Sequence, residues 1–101
     1  MTPREKQSRF VYCVGKTIVW AYEHGYELTW GDTYPGKFKH KATGMHPLGL
    51  AVDLNLFRDG RYLDTTEDHA PLGHYYESLD PQASWGGRWS DGNHYSYGEG
   101  R

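Results

Sequence analysis

Cysteine is nearly absent from this chain: Cys13 is the only one in 101 residues. A disulfide framework within the chain is therefore excluded, and so is a Cys-rich structural zinc site. Any metal must be held by imidazole and carboxylate, a donor set that suits catalytic rather than structural zinc. Cys13 itself falls in a helical pattern and reads as a small buried hydrophobe. Basic charge is also scarce. Eleven Lys and Arg against thirteen Asp and Glu leave a formal charge of -2, with no basic footprint for DNA or RNA. No apolar run reaches transmembrane length, so membrane insertion is not expected. No N-terminal apolar run precedes a small-residue cleavage site, and the expectation is a soluble product made in the cytoplasm without a signal peptide.

Aromatic residues and glycine are abundant by contrast, with four Trp, nine Tyr, three Phe and thirteen Gly. Aromatic side chains bury much area each, and they also line grooves that grip extended polymers. Glycines allow turns and close backbone approaches. The length suits one domain spanning residues 1–101, with a single modest core, and a monomer is expected.

Pro3 to His24 has helical periodicity: Phe10, Val14, Ile18 and Tyr22 recur four apart, and Val11 and Val19 widen the stripe. Pro3 suits a first turn and Gly25 a C-terminal stop. Tyr26, Leu28 and Trp30 alternate with Glu27 and Thr29 as in a strand. Residues 35 to 45 form a basic loop, with Lys37, Lys39 and Lys41, that ends beside His46. Leu50 to Phe57 is the clearest strand. Leu50, Val52, Leu54 and Leu56 make its core face, and Ala51, Asp53 and Asn55 a small, polar one. Asp59-Gly60 then signals a hairpin.

Thr65 or Thr66 caps a second helix, with Leu72, Tyr76 and Leu79 as its apolar stripe and Pro81 just past its end. His69 and His74 lie on this helix about 140° apart, which makes them poor partners for one metal. Trp85 to Trp89 and His94 to Tyr97 read as two short strands joined by a turn at Asp91. In the last strand Tyr95 and Tyr97 build the core, while His94 and Ser96 point out of it.

His46, Asp53 and His94 are the candidate metal ligands, and Asp91 is the candidate base. A catalytic zinc takes three protein ligands and keeps a position open for water. A nearby carboxylate can then take that water's proton during attack on a carbonyl. The same spacings also suit a Gly-rich surface loop with capping Asp and solvated His. Strand phasing favours the site, because it isolates Asp53 and His94 on polar faces of otherwise apolar strands. Trp85, Trp89 and the glycines between them read either as a cleft wall or as core.

The run His46-Pro-Leu-Gly-Leu-Ala-Val-Asp53-Leu-Asn-Leu-Phe57, then Asp59-Gly60, Leu72-Gly73, Trp85-Gly86-Gly87 and Asp91-Gly92-Asn93-His94, resembles the zinc D-Ala-D-Ala carboxypeptidases. Within them it is most similar to the phage L-alanyl-D-glutamate endopeptidases. The resemblance implies an α+β fold, in which a small antiparallel sheet carries the zinc site and two main helices pack on its other side. It also implies zinc (Zn2+) held by His46, Asp53 and His94, with Asp91 as the catalytic acid/base. The implied substrate is the peptide stem of peptidoglycan, cut either between L-Ala and D-Glu or at a terminal D-Ala-D-Ala. The leading expectation is the L-Ala–D-Glu bond, cut by an endolysin-type bacteriophage lysis enzyme after release into the host periplasm.

Two departures from the family pattern bear on substrate placement. Gly44 stands where many relatives have Ser, and Pro35 where many have an Arg that holds a carboxylate or oxyanion. Lys37 or Lys39 could substitute, though Lys lacks the bidentate fork of Arg. That loss weighs against the alternative of a D-Ala-D-Ala carboxypeptidase, which must seize a free carboxylate. A non-catalytic, zinc-stabilised binding module of the same fold is the other alternative, and Asp91 weighs against it.

Overall fold

The computed structural model describes residues 1–31 and 48–98. Two helices, α1 (Pro3–Glu23) and α2 (Thr66–Ser78), pack on an antiparallel sheet in an α+β arrangement. The strands are β1 (Glu27–Gly31), β2 (Ala51–Arg58), β3 (Arg61–Leu63), β4 (Ala83–Trp85) and β5 (His94–Tyr97). No described helix is long and apolar enough to cross a membrane.

Both ends of α1 are closed by local chemistry. The Thr2 hydroxyl accepts from the Glu5 amide at 3.1 Å, and the Glu5 carboxylate accepts from the Thr2 amide at 2.8 Å. Two amide donors near the helix start are thereby satisfied. At the other end Gly25 adopts a φ of +84°. This lets the Tyr26 amide reach the Ala21 carbonyl at 2.9 Å and the Gly25 amide reach that of Tyr22 at 3.3 Å.

The buried face of α1 differs from the expected stripe. Phe10, Cys13, Val14, Thr17 and Ala21 are buried, whereas Val11, Val19 and Tyr22 are exposed. Small residues at 13, 17 and 21 let the helix lie close to α2, β1 and β5. Thr17 tolerates full burial because its hydroxyl donates to the Cys13 carbonyl at 2.9 Å.

Among the described residues the sheet order is β1-β2-β5-β4, with β3 also paired to β2. β1 occupies one edge of β2, from Glu27 opposite Phe57 to Gly31 opposite Asp53. β5 and β3 divide the other edge, β5 alongside Ala51 to Asp53 and β3 alongside Leu56 to Arg58. The β2–β3 turn has positive φ at both Asp59 and Gly60, as a two-residue hairpin loop requires. Leu50, Leu54, Leu56, Tyr95 and Tyr97 are buried in the core. Asp53, Asn55 and Phe57 are half-buried on the opposite face, as the alternation along β2 predicts.

The expected strand at Trp85 to Trp89 is displaced towards the N-terminus. The pairing segment is β4, and Gly86–Trp89 winds into a 3-10 turn that ends on Ser90 with a φ of 56°. Consecutive glycines offer no side chains to a pleated face and weaken a strand there.

Helix α2 starts at a Thr65 cap, whose hydroxyl accepts from the Asp68 amide at 3.0 Å. It continues through Pro71, which cannot donate to the Glu67 carbonyl. Burial of Leu72, Gly73 and Tyr76 and the bond from the Tyr76 hydroxyl to the Ser96 carbonyl hold it against the sheet. Asp80, just beyond the helix, ties the elements together. It receives Arg9 Nε at 2.9 Å, the Gln82 amide at 2.8 Å and the Tyr97 hydroxyl at 3.2 Å.

Candidate metal centre

The antiparallel register sets Asp53 of β2 directly opposite His94 of β5, so the two side chains share one face of the sheet. His94 Nδ1 lies 3.4 Å from Asp53 Oδ1. A charge-assisted hydrogen bond is shorter, about 2.7–2.9 Å. Two ligands bound tetrahedrally at about 2.0–2.1 Å from one ion would stand about 3.3–3.4 Å apart. The donor set and its spacing therefore fit a divalent metal, and they equally allow an ion pair when His94 is protonated.

His94 does lie on the face opposite Tyr95 and Tyr97. It is nevertheless buried, at 5% exposure, and so is Ser96 at 0%. This face of β5 thus points away from the core built by Tyr95 and Tyr97, yet it is covered: alternation gives the direction of a side chain but not what packs over it.

The segment before His94 is held by its glycine-rich neighbours. The Asp91 amide donates to the Gly86 carbonyl at 3.0 Å, and the His94 amide donates to the Asp91 carbonyl at 3.1 Å. A Cβ on Gly86 would stand 2.2 Å from the Asp91 carbonyl oxygen and 2.9 Å from His94 Cβ, so only glycine permits this approach. The Asn93 carbonyl accepts from the Leu54 amide at 2.9 Å, which continues the β2–β5 ladder past the Asp53–His94 pair.

Trp85 resolves the choice between cleft wall and core. It is buried, and its indole N–H donates to the Gly92 carbonyl at 2.6 Å. The ring is gripped by Gly73 of α2 and by Gly87, where an added Cβ would fall 2.1 Å and 2.3 Å from its atoms. Trp85 is thus a strut that braces the Asp91–His94 turn against α2. Trp89 is 45% exposed. Tryptophan, the paired glycines and the Gly-Asn turn thus form one packed unit.

The two histidines of α2 separate as their spacing requires. His69 is buried, with Nδ1 3.4 Å from the Tyr95 hydroxyl. Burial pushes its pKa below the ordinary value, against the opposing effects of a backbone hydrogen bond at Leu63 and the charge of Asp68. His74 is exposed and meets Trp85 edge-on, with ring centroids 5.5 Å apart.

His46, the third expected ligand, lies outside the described residues, as do Pro35, Lys37, Lys39, Lys41 and Gly44. Among the described residues no three His, Cys, Asp or Glu side chains are grouped to hold a metal ion. Asp53 and His94 come together across the sheet, and Asp91 sits half-buried in the turn that leads into His94. No protein-family model matches the chain, and no curated protein matches it.

Proposed function

We propose that this protein is a zinc metallopeptidase that hydrolyses peptidoglycan stem peptides at the L-Ala–D-Glu bond, acting as a monomeric, endolysin-type phage enzyme on the cell wall. The observation that carries this reading is the pairing of the half-buried Asp53 with the buried His94, with a donor separation of 3.4 Å on the polar face of the sheet. An α+β arrangement with both helices on the other side supports assigning the chain to the fold of the zinc D-Ala-D-Ala carboxypeptidases. The sequence run from His46 to Asp53 supplies the remaining imidazole.

In this reading His46, Asp53 and His94 hold the metal, which when bound lowers the pKa of a water and polarises the scissile carbonyl. Asp91 takes the proton of the attacking water and returns it to the departing amine nitrogen. The turn from Asp91 to His94 keeps the base and one ligand at a fixed separation, because Trp85 and Gly86 leave its backbone no room to shift. The β2–β5 register meanwhile holds the Asp53 carboxylate beside the His94 ring.

Digestion of purified peptidoglycan, with and without a chelator, followed by mass spectrometry of the new termini, tests the proposal. A chelator-sensitive D-Glu amino terminus is the expected result. Release of free D-Ala would replace the endopeptidase by a carboxypeptidase. Stoichiometric zinc without any product would leave a metal-stabilised binding module.

A further inference from the structure

The outer face of the sheet carries three cross-strand rows. Asp53 stands between Gly31 and His94, Asn55 stands opposite Thr29, and Phe57 stands between Glu27 and Tyr62. Directly opposed residues of antiparallel strands share a face, so all three rows lie on the side that bears the candidate metal centre. The third row is four residues along β2 from the first, about 13 Å at about 3.3 Å per residue.

That distant row has a distinct chemistry. The Phe57 and Tyr62 rings lie 5.3 Å apart at an interplanar angle of 43°, and Tyr62 is 54% exposed. Glu27 is exposed beside them, and among the described residues it makes no ion pair. A carboxylate next to accessible aromatic rings attracts an ammonium group twice over, through its charge and through the negative ring faces. Between this row and Asp53, among the described residues, the cross-strand row on this face is the uncharged pair Thr29 and Asn55, whose side chains can hydrogen-bond an extended backbone.

We propose that Glu27, Phe57 and Tyr62 form a subsite for a primary ammonium group on an extended peptide whose reacting bond lies at Asp53 and His94. The proposal rests on the peptidase reading and narrows its substrate class to stem peptides that carry a free side-chain amine. The lengths agree. Two extended residues beyond the reacting carbonyl cover about 7 Å, and a lysine-length side chain covers the remainder. Charge agrees as well, because the positive group meets the Glu27 carboxylate at the far end of the face.

The test compares L-Ala-γ-D-Glu-L-Lys with its Nε-acetylated form by calorimetric titration into the Asp91→Ala protein, whose turnover is expected to be suppressed. Tighter binding of the free amine, by about fivefold, is expected. That advantage is expected to vanish when Glu27→Gln is added and to shrink with Tyr62→Ala. Equal affinity for the two peptides, an advantage that survives Glu27→Gln, or no binding of either peptide would overturn the subsite. Cleavage of both peptides by the unsubstituted protein is read separately by mass spectrometry. An amine preference without product would uphold the subsite and remove the peptidase reading, and product without preference would do the reverse.

Discussion

The Trp85 indole nitrogen donates to the Gly92 carbonyl at 2.6 Å, and this bond joins β4 to the turn that presents Asp91 and His94. Trp85→Ala is expected to cost about 3–5 kcal/mol of folding stability through the cavity it leaves. Trp85→Phe keeps an aromatic ring but strands the Gly92 carbonyl, at a cost of roughly 1–3 kcal/mol. Urea denaturation measures both. A Trp85→Phe protein as stable as the parent would show that the indole bond does not brace the turn.

Asp91 and Asp53 are expected to separate base from ligand. Asp91→Ala retains stoichiometric zinc and loses peptidoglycan hydrolysis by about 10²–10⁴-fold, the range of general acid–base catalysis. Asp53→Ala loses both the metal and the activity. Metal content after dialysis and release of soluble wall fragments, measured on the same samples, distinguish the two. Full activity in Asp91→Ala would remove its assignment as the base.

Zinc is expected to raise the melting temperature, because an ion that binds only the folded chain stabilises it by mass action, by about 2.7 kcal/mol at a hundredfold excess over Kd. A chelator reverses the shift. Acidification is expected to weaken it as well, since the proposed ligands His46 and His94 would bind only as neutral imidazoles. A melting temperature indifferent to both zinc and chelator would argue against a metal centre.

Stability without metal is expected to fall in two acid steps. Burial holds the folded-state pKa of His69 below its ordinary value. The unfolded chain therefore binds a proton from about pH 6.5 downwards that the folded chain refuses. This contribution is complete above that pH and is lost as pH falls through the folded value. Asp80 supplies the second step. Burial raises its pKa, but hydrogen bonds from the Gln82 amide, Arg9 and Tyr97 outweigh burial and leave it lowered. Its contribution is present above about pH 4 and is lost as pH falls through the folded value. Urea midpoints from about pH 8 to about pH 3 trace both steps, and Asp80→Asn is expected to remove only the lower one.

Much of this architecture is legible in the residues. The alternation from Leu50 to Phe57 gives β2 and its two faces, because a strand with one apolar side has a single register that buries it. Asp59-Gly60 gives the hairpin, since few residue pairs accept positive φ twice. The α1 interface is harder to read. Cys13, Thr17 and Ala21 are buried for their small size, and Thr17 hides its polarity in a bond to its own helix. Larger apolar neighbours such as Val11 and Val19 score higher in any hydrophobic pattern, yet they stand outside. At the candidate centre, sequence phasing supplies the direction of Asp53 and His94, but their pairing across β2 and β5 is a long-range contact that no local pattern contains. The same holds for Trp85, whose neighbour Gly73 belongs to α2.

Because β5 and β3 flank separate halves of the same β2 edge, the two ends of one strand can diverge independently. Replacements or insertions at the Asp59–Gly60 tip would reshape the Phe57–Tyr62 end while the Asp53–His94 end keeps its own partner strand. On the proposed peptidase reading, exchanging the hairpin would alter substrate preference and leave Asp53 and His94 in place.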